Sequence, residues 1–143
     1  MRCRMLVPTL LLFGCATTPN NVDLSDREIP FAFACNEWVD ENHDQLVQPT
    51  EFQGIKTSFA FMEKVTFVAR YEDVGDVIVW RLFAPDGSLY QTGSSTGRYR
   101  TGYRWVYWEV AQLLGRGERI GMWRMEWYLE GSPTLISRVR LTM

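Results

Sequence analysis

Gly121-Met122-Trp123-Arg124-Met125-Glu126-Trp127-Tyr128-Leu129-Glu130-Gly131 alternates apolar and polar side chains with a period of two. In an extended chain successive side chains point to opposite faces. Trp123, Met125, Trp127 and Leu129 therefore share one face, and Arg124, Glu126 and Tyr128 share the other. So much apolar area on one face needs a second layer to cover it. Glu130-Gly131-Ser132-Pro133 then turns the chain, and 135–143 alternates again. There Leu135, Val139 and Leu141 point inward, and Arg138 and Arg140 point outward.

Toward the N-terminus the same period recurs. In 103–110, Val106, Trp108 and Val110 are assigned to the core, which leaves Tyr103, Trp105 and Tyr107 on the opposite face. In 77–83, Ile78, Trp80 and Leu82 share a face opposite Arg81. Ala84-Pro85-Asp86-Gly87 is a turn, because Pro pre-sets φ and Gly accepts positive φ, and 88–91 pairs back. Val65 to Tyr71 alternates with Phe67 and Ala69 inward. The Gly/Ser/Thr-rich stretch 92–102 reads as a loop, and only 110–114 hints at a helical turn. About seven short strands, with turns every ~8–12 residues and no β-α-β alternation, argue an all-β sandwich.

The hairpin strand 121–131 resembles the last strands of bacterial immunoglobulin-like domains, over a region running from Val65 to the end. The resemblance implies an immunoglobulin-like β-sandwich with Trp80 as its buried core Trp, although no Cys pair accompanies it here.

Composition agrees with one globular domain. The chain has 143 residues, 46% hydrophobic and 14% aromatic, enough to bury a core and too apolar for a disordered segment. Fifteen Lys and Arg against seventeen Asp and Glu argue against a dedicated nucleic-acid binder. The charge is uneven. Residues 15–91 carry 5 basic and 13 acidic groups, whereas 92–143 carry 8 and 4.

The N-terminus carries an address. Arg2 and Arg4 precede a short apolar run, 6–13, which is far too short to span a ~30 Å bilayer core. Leu12-Phe13-Gly14-Cys15 resembles the lipobox of bacterial lipoproteins: an aliphatic residue at −3, a small residue at −1, then Cys. The resemblance implies cleavage of 1–14, lipidation of Cys15 and, with Ala16 rather than Asp after it, an outer-membrane destination. Residues 15–29 then form a lipidated polar tether, and 30–143 the sandwich domain. Cys35 is left as the spare thiol, either a half-buried free Cys or one half of an intermolecular disulfide.

Residues 40–51, Asp40-Glu41-Asn42-His43-Asp44-Gln45-Leu46-Val47-Gln48-Pro49-Thr50-Glu51, place oxygen side chains at positions 1, 3 and 5, an apolar residue at 8 and Glu at 12. This resembles an EF-hand loop. The resemblance implies Ca²⁺ ligation by Asp40, Asn42 and Asp44, by the carbonyl of Leu46, by Gln48 directly or through water, and by a bidentate Glu51. Position 6 is Gln45 where the family has Gly. A left-handed conformation there costs a non-Gly residue ~1–2 kcal/mol, roughly tenfold in affinity.

Catalytic patterns are sparse. His43 is the sole His, and no nucleophile elbow occurs. Gly115-Arg116-Gly117-Glu118-Arg119-Ile120-Gly121 lacks dinucleotide-loop spacing and reads as a tight turn. The exposed-aromatic candidate is a face of Tyr103, Trp105 and Tyr107 with Tyr99, Arg100 and Arg104 beside it, a composition common in binding hot spots and suited to stacking on sugars, unless the other sheet or the 92–102 loop covers it.

These features read together as a non-enzymatic lipoprotein, a binding or structural module of the bacterial envelope anchored through lipid and facing an envelope protein or glycan. Calcium is the one ion its motifs point to, and a calcium module or a glycan-binding surface are the two alternatives. Labelled palmitate is expected to enter the protein in its bacterial host and to be lost in Cys15→Ser. Labelling that persists in that variant would contradict the anchor.

Overall fold

The computed structural model describes residues 24–72, 75–97 and 101–143. Ten strands lie among them: β1 (Phe31–Cys35), β2 (Glu37–Trp38), β3 (Phe52–Gln53), β4 (Ser58–Ala60), β5 (Lys64–Arg70), β6 (Ile78–Phe83), β7 (Leu89–Ser95), β8 (Tyr103–Glu109), β9 (Gly121–Tyr128) and β10 (Leu135–Thr142). One short helix, α1 (Val110–Leu114), follows β8. No helix among the described residues is long and apolar enough to cross a membrane.

Two sheets make the sandwich. One has the order β1-β5-β8 and the other β4-β10-β9-β6-β7. In immunoglobulin notation the second contains G-F-C-C′ and the first A-B-E, with strand A broken so that its later part, β4, runs parallel to the last strand. The fold is an all-β immunoglobulin-like sandwich. The expected inner faces are found where the alternation put them. Trp123, Met125 and Trp127 of β9, Ile78, Trp80 and Leu82 of β6, and Val139 and Leu141 of β10 meet Val65, Phe67 and Ala69 of β5 and Trp108 of β8.

Trp108 joins the layers. Its ring meets Phe67 edge-on at 6.1 Å and Trp80 at 5.6 Å, and its Nε1–H donates to Gln91 Oε1 at 3.2 Å. Trp80 in turn lies against Gly93, where a Cβ would stand 2.5 Å from the ring. That contact explains one departure from expectation. The return strand β7 runs on to Ser95, through residues assigned to a loop, because polar Thr and Ser side chains are tolerated on an edge strand and Gly93 makes room for the indole.

The sandwich has eight strands, in line with the expected seven or so, and the two-stranded sheet β2-β3 lies outside it. Leu24, expected in a polar tether, is fully buried against the domain.

The three-stranded sheet is apolar on both faces. β1 turns Ala32 and Ala34 toward the inter-sheet core and Phe31, Phe33 and Cys35 the other way. On that outer face they join Val68, Tyr103 and Trp105, and the layer is closed by Leu24, Val47 and Phe52.

Two fully buried indoles on β9 differ in one respect. Trp123 Nε1–H donates to the carbonyl of Arg119 at 2.9 Å. Trp127 Nε1 has no hydrogen-bond partner among the described residues. Both Trp→Phe changes remove similar volume, but only Trp123→Phe discards a bond and strands a carbonyl. Trp123→Phe is expected to destabilise by about 1 kcal/mol more than Trp127→Phe in urea unfolding.

Candidate cation-binding loop

Between β1 and β4 the chain makes an excursion over residues 36–57. Asn36 fixes its neck. The Asn36 N–H donates to Gln53 O at 2.8 Å, its side-chain amide donates to Glu63 Oε1 at 3.0 Å and Lys64 O at 2.9 Å, and its carbonyl accepts from Thr66 Oγ1 at 2.7 Å. Gly54, at φ 68°, lies so close that a Cβ would fall 2.0 Å from Asn36 Oδ1. Glu63 also accepts from the Ala60 N–H and pairs with Lys56. Burial raises the Glu63 carboxyl, but these donors outweigh it and leave the group below its ordinary value.

β2 and β3 pair antiparallel, Glu37 opposite Gln53 and Trp38 opposite Phe52. The hairpin lies on the outer face of the three-stranded sheet. Trp38 sits 5.1 Å from Trp105, and Phe52 sits 5.1 Å from both Tyr103 and Phe33. Its tip is the acidic loop.

Within the loop, backbone N–H groups converge on carboxylates. Asp40 Oδ1 accepts from Asp44 N at 3.2 Å and Oδ2 from Gln45 N at 2.9 Å. Asn42 Oδ1 accepts from Asp44 N at 3.3 Å, and Asp44 Oδ1 from Leu46 N at 2.9 Å. Asp44 Oδ2 accepts from Gln48 Nε2 at 3.0 Å. The Leu46 N–H above all, with Gln48, Asn42 and Asp40, holds the Asp44 carboxyl below its ordinary value. Gln45 adopts φ 61° and His43 φ 59°. The left-handed turn at position 6 is therefore made without glycine.

Glu51 closes the loop and is 2% exposed. Its Oε1 accepts from Trp38 Nε1 at 3.1 Å and from Gln48 N at 3.0 Å, and its Oε2 from Glu41 N at 3.1 Å. Trp38 is the residue sequence reasoning missed; its only signal was an aromatic two places before the first Asp. Val47, the apolar position 8, packs into the outer cluster while Leu46 is exposed. One carboxylate oxygen from each of Asp40, Asp44 and Glu51 lies within 4.8 Å of the others. The side-chain oxygen of Gln48 is buried with no partner among the described residues. Carboxylate and amide oxygens are hard donors, which suit Ca²⁺ or Mg²⁺ rather than zinc.

The expected aromatic face is corrected. Tyr103 and Trp105 are buried at 2% and 8% exposure, because the excursion and the segment from Leu24 cover them. Arg104 is fully buried on the inner side, donating to Gly102 O at 2.8 Å and Asp76 O at 2.9 Å. Of the described members only Tyr107 is exposed, with Lys64 Nζ 4.8 Å over its ring. Tyr99 and Arg100 lie outside the described residues, as does Cys15. Cys35 is fully buried, not half-buried, and desolvation pushes its thiol up to about 12, so an intermolecular disulfide has no access to it.

No family model matches the chain, and no curated protein matches it. Among solved structures, an immunoglobulin-like protein from Pseudomonas aeruginosa is similar at TM-score 0.39 and 15% identity, over 78% of this chain and 89% of that one. The sandwich assignment rests on the strand order described above.

Glu51→Ala would leave buried N–H donors without an acceptor and is expected to cost about 1–3 kcal/mol in urea unfolding. The Trp38 indole N–H resonance should move with it. Glu51→Gln, which keeps one acceptor oxygen, should lose less.

Proposed function

We propose that this chain is a non-catalytic binding module of a bacterial envelope, anchored through Cys15, whose 40–51 loop takes a divalent cation. Leu12-Phe13-Gly14-Cys15 supports the anchor. The only His sits on the exposed loop, without a nucleophile pattern around it, which supports a binding rather than a catalytic role.

The observation that carries the cation reading is Gln45. It takes φ 61° and gives its N–H to Asp40 at 2.9 Å, so position 6 makes the sharp turn for which calcium loops use glycine. The donor set fits as well. Three carboxylates crowd together in a loop with no Lys or Arg between 40 and 51, and a buried amide oxygen at position 9 lacks a partner among the described residues. Asp40, Asn42, Asp44 and Glu51 would hold the ion, with Gln48 beside them. A bound cation would neutralise the mutual repulsion of the carboxylates and fasten the tip of the hairpin to its base.

The test is a thermal melt of the chain without residues 1–14, carrying Cys15→Ser, in millimolar Ca²⁺ and in chelator. Binding at about ten times Kd stabilises by ~1.4 kcal/mol. That corresponds to a rise of roughly 3–6 °C, absent in Asp40→Asn and Asp44→Asn. An unchanged melt at millimolar Ca²⁺ would reject the cation reading.

A further inference from the structure

On the far side of β1 from β5 a seam separates its edge from that of β10, bridged at one end by residues 56–57. β4 pairs with β10 only over Arg140 to Thr142, leaving the same edge of β10 without a paired strand from Leu135 to Val139. The Arg140 N–H points to that edge, donating to Thr57 O at 2.8 Å. Peptide groups alternate sides along a strand, so those of Ile136 and Arg138 face the same way. On β1 the Ala34 carbonyl accepts from Lys56 N at 3.2 Å, away from β5, so Ala32 also faces the seam. Among the described residues these peptide groups of Ala32, Ile136 and Arg138 meet no backbone partner.

A groove of about 270 Å³ runs between the two edges. Its charged lining is Arg27, Lys56 and Arg138, with no carboxylate. Lys56 is paired with Glu63 and Arg27 lies 5.5 Å from the centre of the Phe31 ring, whereas Arg138 has neither an ion pair nor a ring contact among the described residues. Arg140 is exposed on the same face of β10, two residues on. At the floor is Ser137, at an inward position otherwise held by Leu135, Val139 and Leu141. It is only 8% exposed, and its hydroxyl has no partner among the described residues. A hydroxyl buried without a partner costs stability unless something supplies the bond.

From these we infer that the open edge of β10 at 136–138 accepts an extended acidic segment of a partner protein, which extends the row that β4 begins. Main-chain hydrogen bonds to an open edge supply affinity, and alternate side chains supply specificity. Here the alternation is specified by the groove. The position over Arg138 calls for a carboxylate, which Arg140 flanks at the end that β4 already pairs. The neighbouring positions, which point at Ser137, call for small hydroxyl side chains. The inference is independent of the cation loop and stands or falls without it.

The probe is a fluorescein-labelled, capped octapeptide alternating Thr and Glu, titrated by anisotropy against the chain without residues 1–14 and carrying Cys15→Ser. Three comparisons accompany it: a Thr-Lys peptide, a Thr-Glu peptide N-methylated at alternate residues, and light scattering of the protein alone. Saturable binding of the Thr-Glu peptide is expected, weakening as salt rises. Arg138→Glu should weaken it at least tenfold. Ile136→Pro, which removes an N–H facing the seam and none facing β9, should do the same, with Arg138→Glu standing alone if the proline variant does not fold. Equal binding of the Lys or N-methylated peptide, or no binding at all, would overturn the inference. So would a protein dimer that Arg138→Glu dissolves, since the occupant would then be a second copy.

Discussion

A three-stranded sheet that is apolar on both faces is the constraint behind the rest of the molecule. In a two-layer sandwich one face of each sheet meets the core and the other meets water. Here β5 and β8 carry Phe67 and Trp108 inward but also Val68, Tyr103 and Trp105 outward, and β1 adds Phe31 and Phe33 on that outer side. Left open, that face would be a large hydrophobic patch. The chain covers it twice, with the segment around Leu24 and with the hairpin from β2 to β3, so the domain has a second core outside the sandwich.

The acidic loop inherits its position from that requirement. Trp38 and Phe52 are held against Trp105 and Tyr103 by burial, and they carry the base of the loop with them. Glu51 is then reached by Trp38 Nε1–H from below and by the Gln48 and Glu41 N–H groups from the loop itself. The carboxylate that ends the loop is thus part of the packing, whereas Asp40 and Asp44 sit where solvent reaches them. A rigid acidic base and a wetter acidic rim follow from one aromatic stack.

What the sequence made legible follows from which forces are local. The alternation in β6, β9 and β10 was readable because each of those strands meets a buried face on one side and water on the other. Trp123 against Arg124 records that difference directly. The α1 turn was readable for the same local reason. Tyr103 and Trp105 misled because period two separates two faces without saying which is wet; only the distant residues 24, 47 and 52 decide that. Gln45 adopts the left-handed turn without glycine, and the surrounding N–H to carboxylate bonds that support it come from side chains a propensity argument does not count. The loop pattern itself was visible from spacing alone, but its anchorage on Trp38 was not, since that depends on a hairpin whose two strands are only two residues long.

The neck at Asn36 has one more consequence. The excursion departs and returns through a single clasp, with Asn36 and Gln53 joined at 2.8 Å and Gly54 seated against the Asn36 side chain. Because the ends are already together, lengthening or shortening what lies between them carries only the slow, logarithmic cost of loop closure. Neither sheet has to change register to accommodate it. The tip of the segment is therefore exchangeable while its base is not. A lineage could exchange its tip for one of different length and chemistry, provided the replacement still laid two aromatic rings on the outer face of β8.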